Sequence, residues 1–338
     1  MEELVSIIIP AYQEEERIGR CLESILASSY RNLELVVVND GSTDRTEEIV
    51  RKFMEDLEDT GPIIRLINIP NGGLAHACNV GLCHSRGQFI GFADADDMIH
   101  PEMIERLAAC LRRGNDLAVC GLLICDAQGK PSRRQYRLKE QHRQCPIQAL
   151  DMVMWEQILM SVCPALFLRE KIIDEQGALQ ISFPENVSSF EDFAFVCRYI
   201  CRCKRFLEVL PFHGVFYCKR QGSLTTRKYS AKELYQSLQP ILEIEKLVDN
   251  VDFISHRFQY TFRFMAFWYE QAFRSRRPEF TPECENRKIC LQEMERYGKE
   301  FMLSSRVALY RKAAMWIARR CPFLGWLLAK SFGKVVFK

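Results

Sequence analysis

The chain has 338 residues, a formal net charge of +2 and 48% apolar residues. That suffices for a buried core in one large domain or two, and so balanced a charge does not point to nucleic acid. Its fifteen cysteines include no C-x-x-C pair, and the group Cys197, Cys201 and Cys203 has the wrong spacing for a zinc knuckle. The first residues, MEELVSIIIPAY, lack the basic start and long apolar run of a secretory leader. No run of about 18 uncharged apolar residues suggests a transmembrane helix. Reduced, mostly buried thiols in a cytosolic protein are therefore expected.

In chain order, LVSIIIP (4–10) reads as a buried strand stopped by proline. Residues 14–28 read as a helix with Ile18, Leu22, Ile25 and Leu26 on one face and Glu14, Glu15 and Glu16 in the first turn. LELVVV (33–38) is a second strand. NDGSTD is a turn, with Thr43 or Asp44 as cap for the helix TEEIVRKFMEDL. IRLINI is a third strand, and NGGLAHACNVGLCHS a loop entering a short helix. QFIGFA is a fourth strand, PEMIERLAACLRR a helix with proline near its start, and DLAVCGLLIC a fifth strand. A basic polar excursion spans 127–145, a helix 146–160, and a further helix FEDFAFVCRYICRC. Two short strands near 206–210 and 213–218 come next. Residues 231–274 are mostly helical, and their aromatic stripe (Phe258, Phe262, Phe264, Phe267, Trp268, Tyr269) reads as core.

Strands in nearly continuous apolar runs, alternating with helices, predict an α/β fold with a parallel sheet covered on both faces. Ligands of such sheets bind beyond the carboxyl ends of the strands. Three polar features fall there: AYQEEE after the first strand, NDGSTD after the second and DADD after the fourth. Asp94 and Asp96 are expected on one side of the strand end and Asp97 on the other, where it can cap the next helix. Two carboxylates facing one way suit a hard divalent cation, Mg2+ or Mn2+, whose remaining positions substrate phosphates fill. Asp40 is placed to accept from a base N–H or a ribose hydroxyl, although D-G is also a plain turn pair. Glu191 and Asp192 stand at a helix start, as a general base or as acids favoured by the helix dipole. Lys219, Arg220 and Ser223 form either a site for a leaving diphosphate or a solvated basic turn.

Six stretches together resemble the family 2 glycosyltransferases of GT-A fold: VSIIIPAYQEE (5–15), LELVVVNDGSTD (33–44), NGGLAHACNVG (71–81), GQFIGFADADD (87–97), FEDFAF (190–195) and FYCKRQGSLT (216–225). The resemblance implies a Rossmann-like, mostly parallel sheet over residues 1–228. It also implies inverting transfer of a sugar from a nucleoside-diphosphate donor, usually a UDP-sugar, to a hydroxyl. By position, Pro10, Ala11, Tyr12, Glu14 and Asn79 belong to the donor site, Asp40 meets the uracil or ribose, and Arg220 the pyrophosphate. Asp94 meets the ribose side and shares the metal, Mn2+ or Mg2+, with Asp96. Asp192 is the base, with Glu191 beside it. The chain departs from the family pattern at Gln13, Cys78 and PALF (164–167), where asparagine, arginine and a lysine-bearing segment are usual.

Beyond this region a helical segment (229–300) and a basic tail (301–338) are expected. The tail holds eight Lys/Arg and no Asp/Glu, with an apolar stripe through Val307, Tyr310 and Ile317. Such a helix suits an anionic membrane surface. The expected function is surface-polysaccharide or lipid-linked glycan synthesis at the inner face of the plasma membrane. The alternatives are an inactive nucleotide-sugar-binding scaffold, or a nucleotidyltransferase, which the acidic PAYQEEE disfavours. No G-x-G-x-x-G follows a strand, which argues against a dinucleotide oxidoreductase.

Overall fold

The computed structural model describes residues 2–57, 61–126, 129–131, 142–146, 148–150, 161–187 and 191–219. The chain divides into two units, Met1–Glu185 with Glu191–Ser223, and Asn186–Phe190 with Leu224–Lys338. The sheet described next belongs to the first unit. The expected divisions at 229 and 301, the aromatic stripe, the basic tail, Arg220, and most of the 146–160 helix lie outside the described residues.

Strand β1 (Val5–Ala11) and strand β2 (Leu33–Asp40) are buried at every position, as strands covered on both faces must be. Helix α1 (Ile18–Leu26) buries Ile18, Cys21, Leu22 and Ile25 as one stripe. Helix α2 (Thr46–Asp56) leads to strand β3 (Ile63–Ile69), and helix α3 (Leu74–His84) to strand β4 (Phe89–Phe92). Helix α3 lies close on β1 because Gly81 has no side chain: a Cβ there would stand 2.3 Å from Ile8 Cγ2. Strand β5 (Met98–Ile99), helix α4 (Met103–Arg112), strand β6 (Leu117–Cys125), strand β7 (His142–Gln144) and strand β8 (Ala165–Leu168) follow. Helix α5 (Glu191–Arg202) and strand β9 (Leu207–Cys218) complete the unit.

Among the described residues the sheet order is β3-β2-β1-β4-β8-β6-β9-β5, with β7 also on β9. The half formed by β3, β2, β1 and β4 is parallel. The chain builds β2 and β3 outward on one side of β1, then crosses to lay β4 on the other side. The ends of β1 and β4 therefore form the topological switch point, where the crevice of an open α/β sheet lies.

Four expectations need correction. The sheet is mixed, because β8 runs antiparallel to both β4 and β6. The first helix starts at Ile18 rather than 14, since residues 14–17 form a turn in which the Glu14 carbonyl accepts the Arg17 and Ile18 amides, each at 2.9 Å. The two short strands are one twelve-residue strand, β9, which absorbs Pro211 and Gly214 through register shifts against β6 on either side of Gly121. Asp97 does not cap α4, which has no side-chain cap. The expected cap of α2 is present in Asp44, whose Oδ1 accepts the Thr46 amide at 3.0 Å. The described cysteines are all free and mostly buried, and no helix among the described residues is long and apolar enough to cross a membrane.

Beneath the end of β4 lies an aromatic core. Phe92 meets Phe167, Phe183 and Phe195 edge-on at centroid distances of 6.1, 5.3 and 5.7 Å, and Phe183 stacks on Phe195 at 4.2 Å. It joins β4 to β8 and to α5, so it fixes the start of α5 relative to the end of β4.

At the opposite, amino end of the strands, buried Glu34 gathers four donors. Its carboxylate accepts from the Ser6 hydroxyl, the Arg86 and Gly87 amides, and the Arg65 guanidinium. Burial alone would raise its pKa, but these donors more than offset burial and hold it below the ordinary value. A depressed carboxylate pKa stabilises the fold above the unfolded-state pKa and ceases to do so as pH falls through the folded value. Glu34→Gln is expected to cost about 3 kcal/mol at pH 7 in urea denaturation. The difference from wild type should shrink as the titration is repeated down through the carboxylate range.

Candidate active site

At the end of β1, Pro10 and Ala11 give way to Tyr12, a residue 50% exposed, and to Gln13 at φ 56. The left-handed backbone at Gln13 is unusual for a residue with a side chain and implies a compensating contact. That contact is a clasp on the loop after β2. The Gln13 amide donates to Ser42 Oγ at 3.0 Å, and its Nε2 to Thr43 Oγ1 at 3.0 Å. Its Oε1 accepts the Thr43 and Asp44 amides at 3.2 and 3.1 Å. Buried Glu14 pairs with Arg17 Nε at 2.6 Å, and its amide donates to Thr46 Oγ1 at 2.8 Å. The first two strand ends are thereby one rigid wall.

Asp40 ends β2, buried, and latches the next loop. Its carboxylate accepts the Gly72 and Gly73 amides at 2.7 and 2.9 Å, leaving a lone pair on each oxygen. Gly41 (φ 71) is required here, since a Cβ would stand 2.7 Å from the Asn71 nitrogen. Asn79 on α3 is differently employed. Its amide grips the Phe183 backbone on both sides, accepting at 2.8 Å and donating at 2.9 Å, and its second amide hydrogen goes to Glu185 at 2.8 Å. Both of its donors are thus taken by the 183–185 segment.

Past β4 the chain turns. The Ala93 amide still reaches Ile8 O at 3.0 Å, but Asp97 N returns to Asp94 O at 3.0 Å. The alternation expected of an extended strand therefore does not apply. Asp94, Asp96 and Asp97 point together, each offering one oxygen within 4.8 Å of the others. Asp97 is the buried member and accepts the Cys218 amide at 2.8 Å, which ties the cluster to the end of β9. Arg20 of α1 donates to Asp96 O at 3.4 Å.

Across the crevice Glu191 and Asp192 occupy the first turn of α5. Asp192 Oδ2 accepts the Val162 amide at 3.3 Å, and Glu191 Oε2 is buried with no partner among the described residues. Cys78 of α3 senses both groups. Burial chiefly raises its thiol pKa, and the charges of Asp192, Asp94, Glu191 and Asp40 add to the rise. Acids from β2, the β4 turn and α5 thus converge on one crevice.

The convergence is costly. Burial, then repulsion from Asp96 and Asp192, pushes Asp94 up to about 7. Burial, then Asp94 and Asp96, pushes Asp97 up to about 9. Burial and the neighbouring Glu191 push Asp192 up to about 7. Such a group of hard oxygen donors fits Mg2+ or Mn2+, and no comparable cluster of metal-ligating side chains occurs elsewhere among the described residues.

Comparison with known proteins agrees with this geometry. The family Glycosyl transferase family 2 matches residues 6–176, just over half of the chain. The chain belongs to this family. Among glycosyl transferase family 2 relatives, the uncharacterized glycosyltransferase EpsJ of Bacillus subtilis is 40% identical over 119 residues, 35% of this chain and 33% of that protein. Chondroitin synthase of Pasteurella multocida is 41% identical over 102 residues, 30% of this chain and 10% of that protein. The chain thus spans a third or less of the length of these relatives. Staphylococcus aureus TarS 1–349 in complex with UDP has a TM-score of 0.71 at 19% identity, covering 98% of this chain and 91% of its own. The mannosyltransferase PcManGT from Pyrobaculum calidifontis in complex with GDP-Man and Mn2+ has a TM-score of 0.55 at 17% identity, covering 100% and 89%. These likenesses establish the family's GT-A fold for this chain, with its mixed, mostly parallel sheet.

Of the expected site residues, the structure brings together Pro10, Ala11, Tyr12, Asp40, Asp94, Asp96, Glu191 and Asp192. It turns Glu14 to Arg17 and Asn79 to the 183–185 segment. Asp97 comes beside Asp94 and Asp96 through the local turn at 94–97, while Arg20, Gln13 and the 161–163 segment approach through contacts distant in sequence, and none of these was anticipated. The repulsion within the β4 turn has a direct consequence. An acid whose folded pKa is raised destabilises the fold as pH rises above its unfolded value. Asp94→Asn is expected to raise the melting midpoint of cation-free protein at pH 8 by roughly 2–4 °C, the shift that about 1 kcal/mol produces in a domain of this size. It should also abolish any rise produced by Mn2+.

Proposed function

We propose that this chain transfers a sugar, with inversion, from a nucleoside-diphosphate donor, most simply a UDP-sugar, to a hydroxyl of a glycan or lipid-linked acceptor. The observation that carries this reading is the crevice itself: an acidic turn at the β1/β4 switch point faces a second acidic pair at the start of α5. TarS, similar in fold, is known in complex with UDP-GlcNAc and with UDP, which supports a uridine donor here.

In this reading exposed Tyr12 offers its ring to the base beside Pro10 and Ala11, and Asp40 uses its free lone pairs on the base or ribose. Glu14 braces this wall through Arg17. Asn79 shapes the site from α3 by fixing the 183–185 segment. Asp94 and Asp96 hold the cation, with Asp94 also facing the ribose, and Asp97 backs them from the buried side. A bound Mg2+ or Mn2+ would supply positive charge to the departing diphosphate as a Lewis acid. Arg220, outside the described residues, is proposed to add charge at the pyrophosphate.

Asp192 acts as general base. It takes the proton of the acceptor hydroxyl as that oxygen forms its bond to the anomeric carbon from the face opposite the leaving group. The bond to the diphosphate oxygen breaks with its electron pair, releasing nucleoside diphosphate. Burial, and then Glu191 beside it, keep its pKa raised, so the base is matched to neutral pH. The eight unopposed positive charges of residues 301–338 support a station on an anionic membrane surface, which we propose to be the cytoplasmic face.

Melting curves with UDP, GDP, CDP and TDP, with and without Mn2+, test the donor reading. UDP should raise the midpoint only with Mn2+, and Asp96→Asn should lose the shift. Release of UDP from UDP-sugars then tests turnover; binding without release would identify an inactive scaffold. Asp192→Asn should retain the UDP shift yet lower kcat by about 10²- to 10⁴-fold. A base acts only when ionised, so the wild-type rate should fall as pH drops below about 7, the raised value of Asp192.

A further inference from the structure

We propose that Gln13 is a positioning residue for the donor: by clasping the loop after β2 it sets how Tyr12 stands to Asp40, and with that the affinity for the nucleotide. This rests on the reading of Tyr12 and Asp40 as contacts of the base and ribose.

Sheet register brings those two residues together. Strands β1 and β2 run parallel, with Pro10 level with Val38 and Ala11 level with Asn39. Continued by one residue, that register puts Tyr12 level with Asp40. Strand β1 stops at Ala11, so main-chain pairing no longer holds the chain at this point. Gln13 takes over. Its backbone amide reaches Ser42 Oγ, and its side-chain amide reaches Thr43 and Asp44, in four hydrogen bonds of 3.0–3.2 Å. The loop it grips is itself anchored. The Ser42 amide donates to Asn39 Oδ1 at 3.2 Å, and Asn39 Nδ2 to Asn68 Oδ1 of β3 at 2.9 Å. The Glu14 and Glu15 amides also reach this side, at Thr46 Oγ1 and Asp44 Oδ2, but farther along the chain from Tyr12.

The backbone supplies a second argument. Gln13 is the one non-glycine residue with positive φ among the described residues. Such a conformation costs a residue with a side chain about 1 kcal/mol or more, a cost glycine avoids. The glutamine returns more than that through its reach, since Oε1 serves two consecutive amides while Nε2 turns to the Thr43 hydroxyl. Glycine at this position would relieve the backbone and lose the clasp. Its two effects oppose each other in stability but not in binding. With the clasp gone, Tyr12 and the 41–44 loop must be ordered by the nucleotide, and that entropy is taken from its affinity. The reacting atoms are not involved, so the loss falls on KM rather than kcat.

The test uses the full chain with Mn2+, measuring UDP affinity by calorimetry and UDP release from UDP-sugars. Gln13→Gly is expected to weaken UDP about tenfold and to raise KM for the UDP-sugar alike, with kcat kept. Gln13→Asn tolerates the same backbone but is one methylene shorter, and should lie between glycine and wild type. Gln13→Glu keeps the reach, accepts the same amides and can accept the Thr43 hydroxyl, so it should stay within about threefold of wild type. The losses in Gln13→Gly and Tyr12→Ala should be non-additive in the double variant, because the clasp acts through Tyr12. Wild-type affinity in both the glycine and asparagine variants would overturn the proposal, as would additive losses or a fall in kcat alone. Wild-type UDP affinity in Tyr12→Ala would instead refute the reading of Tyr12 as a base contact, whatever the Gln13 variants show.

Discussion

Like charge confined to one crevice is the constraint around which the described unit is organised. Four acids from the β4 turn and the start of α5, Asp94, Asp97, Glu191 and Asp192, share a space that burial makes unfavourable for their ionised forms. A fold selected for stability alone gains little from such a group, since burial and mutual repulsion both oppose ionisation. Their persistence is intelligible when a divalent cation and a diphosphate complete the charge balance.

The other buried acids show what pairing looks like in the same protein. Asp116, just before β6, accepts the Lys204 and Arg205 amides at 2.7 and 2.8 Å, Arg205 Nε at 2.8 Å, and pairs with Lys171 at 3.2 Å. Burial opposes its ionisation, yet these partners hold its pKa below the ordinary value. Glu208, early in β9, takes Arg113 and Asn115. Glu34 has its own four donors. These three acids stand near the starts of their strands and are matched by protein groups. The acids past the end of β4 and at the start of α5 are matched far less completely. The contrast separates acids that hold the fold from acids that the proposed cation would balance.

Rigidity around the crevice comes from apolar packing. The aromatic core under Phe92 ties β4 to β8 and α5, and Tyr199 extends it by accepting the Leu168 amide at 2.8 Å. The Gln13 clasp and the Asp40 latch do the same for the loops. Loops that would otherwise sample many conformations are fastened to each other before any ligand arrives, which lowers the entropic cost of binding one.

The parallel half of the sheet was legible in the sequence because its strands are buried on both faces. Continuous runs such as VSIIIP and LELVVV leave no other reading, and the polar residues after them must lie at the strand ends. Asp40, Asp94 and Asp96 were placed at strand ends that way, and Glu191 and Asp192 at a helix start, with the family resemblance suggesting their roles. Tertiary structure alone decided how those residues meet. Asp97 joins Asp94 and Asp96 because the chain turns back on itself at 94–97, which strand alternation cannot anticipate. Asn79 is drawn to Phe183 by a partner that local pattern does not reveal. The Val162 amide meets Asp192 from the segment that leads into β8, which runs antiparallel to β4. Local sequence determines which segments are strands and where they end, since burial periodicity is a property of neighbouring residues. Pairing direction and register are set by the packing of segments far apart in the chain, and the site is made there.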